Sequence, residues 1–432
     1  MKSLCYVTGE EEFMAGQHPA KLRNDADKAK IISSNDQSNF TFRGRFLTAD
    51  EAAGVGFVVT QKAHLALRWL ISRQAYQKDD QAVVAWATGG KDLPQPLSDA
   101  VDILGLADLP RDGVDTAYTA EEIGKRFRNR LAGYGSDLGE TAGVVVLALD
   151  SATPGRMSIT YYRELTSSEY LKRIGTWHQS CTWIHRYRSM EIRSSGKPRW
   201  VPLPFIGAPA PSDIAEAAYA TNKNGKLQVD DKLRKRTVER LLPCIIDGRP
   251  LPWDIVESVV RRVSNRVAFE PWQFEKSLSI ACALFKKFMD DKKQETYSMT
   301  LDPTRRTRDY LYGRLLALAD NLEEWALNKA KEDRQTTAAR LMTRFAEHPY
   351  STWRTIELAL SPYKARLGGK SKKHQRMIDE VKNLFDEVDF TNDKRLTGEF
   401  LLGYSCQREF LRNSAERLKE SEEGSQGNPT GN

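Results

Sequence analysis

The chain has 432 residues, about three domains' worth on a prior of roughly 150 residues per domain. Its composition is 40% hydrophobic and 28% charged, with both signs spread throughout, which excludes a disordered polyelectrolyte; no window approaches the ~18 consecutive apolar residues of a membrane span. The formal charge of +7 permits nucleic-acid binding without requiring it. Five scattered cysteines (Cys5, Cys181, Cys244, Cys282, Cys406) form no CxxC pair, so reduced thiols in a cytoplasmic location are expected rather than a secreted disulfide scaffold.

In chain order, Thr48 and Glu51 form a capping box that predicts a helix running to about Gln74. Gly54-Val55-Gly56, a fragment of a dinucleotide fingerprint, falls inside that expected helix. QAVVAWATGG reads as a buried strand stopped by Gly89-Gly90, and Thr119 with Glu122 caps a helix carrying the basic face GKRFRNR. GVVVLALD, the turn SATPGR and MSITYYREL read as a β-hairpin. A helix is expected from about Ser168 to His185. The following stretch carries Pro198, Pro202, Pro204, Pro209 and Pro211, so neither a helix nor a central strand is expected there.

Beyond Asp213 the pattern is helical. Asp302-Pro303 reads as an N-cap with proline at the first helical position. Leu311, Leu315, Leu318, Leu322 and Trp325 repeat at helical spacing, as do Trp353, Ile356, Leu360, Tyr363 and Leu367, then Met377, Val381, Leu384 and Val388, then Leu396, Phe400, Tyr404 and Leu411. Such stripes predict an antiparallel bundle of about five helices. The fold class is α+β, with a mixed α/β N-terminal portion followed by an all-helical C-terminal bundle. The expected divisions are 1–185 mixed α/β, 186–215 Pro-rich linker, 216–296 connecting helices, 297–419 bundle and 420–432 disordered tail.

No P-loop, GxSxG, HExxH or HxH motif occurs, and no catalytic residues or cofactor are expected. The one metal candidate is His178-x-x-Cys181-x-x-x-His185, which one helix would place roughly on one face; the competing reading is an amphipathic helix with Trp177 and Trp183 in a core. His64, beside Lys62 and Arg68, reads as a phosphate-facing or a partly buried structural imidazole.

Basic clusters carry more weight. Arg43-Gly44-Arg45 sits between Phe42 and Phe46, an arrangement that can stack on bases and pair with phosphates. Arg186, Arg188, Arg193, Lys197 and Arg199 lie in or beside the Pro-rich stretch. Arg234, Lys235, Arg236 and Arg240 are expected to enter one helix, and Arg261, Arg262 and Arg266 the next. Arg305, Arg306, Arg308 and Arg314 crowd the entrance to the bundle, where cations oppose the helix dipole. Lys370, Lys372, Lys373, His374 and Arg376 form a Gly-led basic loop. Each alone reads as a solvated face; their recurrence beside aromatics favours phosphate contacts.

The strings CYVTGEE, FRGRFLTADEAAGVGFVVTQKAHLALRWLISRQ, ALDSATPGRMSITYYREL, FIGAPAPSDIAEAAY, ERLLPCIIDG, LDPTRRTRDYLYGRLLALAD and FLLGYSCQREFL resemble the large subunit of the type I-C CRISPR surveillance complex, Cascade. The resemblance covers the chain up to its tail. It implies a non-enzymatic, RNA-guided DNA-binding subunit that acts with CRISPR RNA, backbone subunits and a handle-binding subunit. Such a subunit helps recognise the protospacer-flanking motif (PAM), opens the duplex into an R-loop, holds the displaced strand and recruits a helicase-nuclease in trans. It also implies that the bundle resembles the complex's small subunit and can be made separately, from Met289 or Met299 here. Because the chain opens almost at CYVTGEE, it is expected to lack the family's N-terminal region; the alternatives are a truncated remnant serving as a protein-interaction module and a DNA-processing nuclease. On the matched motifs the expected nucleic-acid contacts are Arg45, Lys62, Arg68, Arg156 and Arg163, and in the helical part Arg305, Arg306, Arg308, Arg314, Arg334, Arg340, Lys372 and Lys373. For Arg314 a buried bond inside the bundle is the alternative, since Gly313 suggests close helix packing.

Overall fold

The computed structural model describes residues 2–33, 46–106, 111–112, 119–153, 155–193, 199–223, 226–292 and 295–426. The chain folds into two compact units: Met1–Ser98 with Phe127–Thr176 and Asp231–Arg249, and Asp99–Arg126 with Trp177–Asp230 and Pro250–Asn432. The fold is α+β, with the larger sheet in the first unit and helices dominating the C-terminal part.

In the first unit a four-stranded antiparallel sheet runs in the order Tyr76–Lys78, Gln81–Ala87, Gly143–Thr153, Arg156–Thr166. The two Val-rich central strands are buried, as an uninterrupted apolar run requires. The last two form the expected hairpin, with Val144 opposite Leu165 and Thr153 opposite Arg156; Pro154 lies outside the described residues. Ala82, Val84, Leu147, Leu149 and Met157 form a core with Ile71, which the Phe57–Gln74 helix brings to it.

The helix expected from Thr48 is two pieces. Thr48 and Glu51 do exchange the capping-box bonds, but the helix they open covers only Ala49–Ala52. Gly54-Val55-Gly56 interrupts it, because Gly56 bridges Met14 and donates its N–H to Cys5 Sγ (3.2 Å), and a Cβ there would collide with the Glu12 carboxylate. The Gly-x-Gly is therefore a strand-contact element, outside any helix.

In the second unit, the helix expected to reach His185 ends at Ser180. Trp183–His185 is instead a strand, paired antiparallel with Phe205–Gly207. The Pro-rich stretch expected as a linker is folded. Ser189–Arg193 pairs with the edge strand Arg199–Pro202, Leu203 and Phe205 are fully buried, and Pro211 opens the helix Pro211–Tyr219. A further small hairpin, Thr221–Lys223 with Lys226–Gln228, lies in a region expected to be helical.

The bundle centres on two long helices, Arg308–Ala330 and Glu399–Gln426. The second runs to Gln426, past the point where a disordered tail was expected; residues 427–432 lie outside the described set. Asp302 is not the helix cap. It accepts from Thr304 N (2.9 Å) and Thr304 Oγ1 (2.7 Å) in a local turn, and the helix starts at Arg308. Contacts between the long helices climb together, Thr307 with Glu399 and Arg314 with Gln407, so they run parallel. An antiparallel pairing was expected; the shorter helices Thr337–Glu347, Pro349–Ala359, Ser361–Leu367, Lys372–Lys382 and Glu387–Thr391 carry the chain back between them. The predicted stripes are buried at Leu311, Leu315, Leu318, Leu322, Trp353, Ile356, Phe400 and Tyr404, whereas Val388 is exposed.

Glycine makes this pairing possible. A Cβ on Gly313 would lie 1.9 Å from the Phe400 carbonyl oxygen, and one on Gly403 would lie 2.1 Å from that of Tyr310. Above the crossing, buried Asp320 accepts from Tyr404 (2.6 Å), Thr336 Oγ1 (2.5 Å) and Arg266. Burial alone would raise the Asp320 pKa; the charges of Arg266 and Arg408 outweigh it and hold the carboxyl below its usual range. Gly313→Ala should destabilise the protein by about 2–3 kcal/mol in urea denaturation, because backbone rather than a side-chain tip must move. Gly133→Ala, in a helix with nothing within 4 Å, should be neutral or stabilising by up to about 1 kcal/mol.

Candidate nucleic-acid interface

The basic residues expected to contact nucleic acid separate into those whose charge is committed within the fold and those left facing solvent. Among the committed, Arg163 pairs with Asp247 (2.7 Å) and Arg68 with Asp25 (2.6 Å). Arg186 pairs with Glu409 (2.6 Å), and Arg188 reaches Asp99 (2.8 Å) and Asp102. Arg234 meets Asp231 (3.0 Å) and Asp79, and Lys235 meets Asp150 (3.0 Å). Arg262 donates to the carbonyls of Glu216 (2.8 Å) and Ala217 (2.6 Å), at the end of a neighbouring helix.

At the bundle entrance the arginines tie loops together. Arg305 binds Glu295, Glu399 (3.3 Å) and the Thr296 carbonyl (2.8 Å), and Arg308 binds the Asn392 and Lys394 carbonyls with Asp309 (2.7 Å). Arg314 is buried, as the close packing at Gly313 suggested; its Nε donates to the Gln407 side-chain carbonyl (3.0 Å). Arg334 spans Tyr363 (2.6 Å), Glu332 (3.1 Å) and Glu323 (3.4 Å). Arg156 is half-buried at the start of its strand, where Met157 donates to Lys30. Arg340 is exposed, with one bond to Thr337 Oγ1 (3.3 Å). Arg43 and Arg45 lie outside the described residues.

The exposed remainder has no ionic partner among the described residues: Lys62, Arg236, Arg261, Arg306, Lys370, Lys372 and Lys373. Three of them are neighbours. Lys370 sits in the Gly368–Ser371 turn and Lys372 and Lys373 open the Lys372–Lys382 helix, with exposed Arg376 one turn on. Cations at a helix N-terminus are locally unfavourable, and no carboxylate among the described residues pairs with these. Beneath them His374 Nε2 meets Asn321 Oδ1 (2.8 Å) and its ring lies 5.6 Å from that of Trp325; burial and Lys373 lower its pKa, keeping it neutral near pH 7. Lys125 and Arg128, exposed on the Ala120–Leu138 helix, are further candidates; the GKRFRNR face is legible in the sequence, but its exposed members are not separable there from Arg130, which lies over Tyr134 (4.4 Å).

The metal candidate is not assembled, because the helix that would have aligned it stops early. His178 Nδ1 accepts from Ala208 N (3.3 Å), while His185 stands on a strand with Nδ1 at Ser279 Oγ (2.9 Å) and Nε2 at the Gly207 carbonyl (3.2 Å). Cys181 is buried just past the helix end. Among the described residues no group of three or more His, Cys, Asp and Glu is arranged to hold a metal ion. No helix among them is long and apolar enough to cross a membrane. His64 is a buried imidazole, its Nδ1 donating to the Thr60 carbonyl (2.7 Å).

The α+β chain thus carries an exposed basic turn in its helical portion. A family model described as CRISPR-associated protein (Cas_Csd1) matches residues 1–412, and the chain belongs to that family. A search of curated proteins returns no match.

Burial lowers the His185 pKa to about 3. The unfolded chain then binds a proton that the folded one does not, so stability falls as pH drops through 6.5 toward 3. From pH 7 to 5 this one group should cost about 2 kcal/mol in denaturant titrations. His185→Asn should flatten that slope; an unchanged slope would count against a buried neutral imidazole.

Proposed function

We propose that this CRISPR-associated chain is a non-catalytic, cytoplasmic subunit of a type I-C RNA-guided antiviral complex. In this reading it joins a CRISPR RNA, backbone subunits and a handle-binding subunit, contacts target double-stranded DNA and the displaced strand, contributes to flanking-motif recognition and duplex opening, and helps recruit a helicase-nuclease. The observation that carries it is the run Lys370, Lys372, Lys373 and Arg376, exposed and without a carboxylate partner among the described residues, in a chain of this family. A phosphate backbone supplies the countercharge that the fold does not. Lys62, Arg236, Arg261 and Arg306 are secondary contacts of the same kind. Arg305, Arg308 and Arg314 act in this reading by holding the bundle together.

Mobility-shift titration of the reconstituted complex tests the proposal. Lys372→Glu/Lys373→Glu should weaken DNA binding for all target sequences alike and reduce the salt-dependence slope by about 2. A loss confined to particular sequences, or an unchanged slope, would contradict a backbone contact. Failure of the chain to co-purify with guide RNA and the other subunits would defeat the assembly reading.

A further inference from the structure

In the helical unit, the loop after the Trp253–Ser264 helix and the Glu332–Thr336 turn border a cleft of about 860 Å³. Its charge is opposite to that of the basic turn. The arginines that line it are already paired: Arg266 with Asp320, Arg408 with Glu275 and Arg334 with Glu323 and Glu332. Three carboxylates are not. Glu270 accepts only a backbone N–H, in the capping box of its own helix. Glu324 and Asp333 have no hydrogen-bond or ionic partner among the described residues. Burial and the neighbouring Asp320 push the Glu324 pKa up against the lowering charges of Arg408 and Arg266, both of which are bonded to other carboxylates.

Trp272 stands at the same cleft, 59% exposed, with no ring or cation contact among the described residues. Val267, 50% exposed, adds apolar surface beside it. Phe269 and Phe274, also lining the cleft, each already carry an arginine, at 5.3 Å and 4.8 Å. Trp272 is the strongest cation-binding aromatic type and is unused.

We propose that this cleft is a docking site for an arginine-rich segment of a partner protein, with a guanidinium over Trp272 and others on Glu270, Glu324 and Asp333. Charge complementarity selects this occupant. Unpaired carboxylates repel phosphate, whereas planar guanidinium satisfies carboxylates and an indole face together. The proposal does not rest on the DNA-binding reading, since it concerns carboxylates rather than lysines; Glu324 also borders the pocket that Lys370 and Lys373 line.

The test is fluorescence anisotropy on the full chain with a labelled hexapeptide of alternating arginine and leucine, against the same peptide carrying glutamine for arginine. The arginine peptide should bind roughly tenfold more tightly, and Trp272→Ala and Glu324→Gln/Asp333→Asn should each weaken it roughly fivefold or more. Glu10→Gln/Glu11→Gln, which removes two exposed carboxylates of the other unit, should change nothing. Thermal unfolding of each variant checks that the fold is kept, and the charge variant stands in should Trp272→Ala unfold. Equal binding of both peptides, parent-like binding by the cleft variants, or displacement of the peptide by a thymidine oligonucleotide that binds the cleft would overturn the proposal.

Discussion

At Gly313 and Gly403 two long helices run with backbone against backbone, leaving no room at either crossing for one side-chain carbon. That approach aligns Arg314 with Gln407 and brings Tyr404 to Asp320. Asp320 in turn gathers Arg266 and Thr336, from segments outside both helices. A buried carboxylate is costly unless every oxygen is bonded, and here both are. The contact also fixes where the shorter helices sit, and hence where the Gly368–Ser371 turn presents its lysines.

The same logic separates structural from available charge. An arginine at a loop junction satisfies several carbonyls and carboxylates through one planar fork, as Arg305 and Arg308 do. A lysine offers a compact charge that a turn can leave in water, as at Lys370, Lys372 and Lys373. The excess of +7 is therefore unevenly expressed: much of the arginine charge is paired within the fold, and the exposed lysine turn and the carboxylate-lined cleft are the surfaces proposed for partners.

Much of this was legible in the sequence. Alternation and turn residues located the Gly143–Thr166 hairpin, period-3.6 stripes located the bundle core, and Gly313 signalled the close helix packing beside Arg314. What escaped depends on contacts distant in sequence. Nothing local tells that Gly56 must admit the Glu12 side chain, or that Trp183–His185 leaves its helix to pair with Phe205–Gly207. The parallel direction of the long helices follows from how the intervening short ones return the chain, and periodicity is silent on direction. Clusters of arginine were visible, but their partners, such as Asp247 for Arg163 across 84 positions, were not.

Lysine-reactivity footprinting of the assembled complex, with and without target DNA, tests this division of charge most directly. The account predicts that Lys370, Lys372 and Lys373 are acylated readily without DNA and protected with it, while Lys235, Lys276 and Lys287, each held by a carboxylate, react slowly in both states. Unchanged reactivity at Lys370–Lys373 upon DNA binding, with protection appearing at other lysines instead, would contradict it.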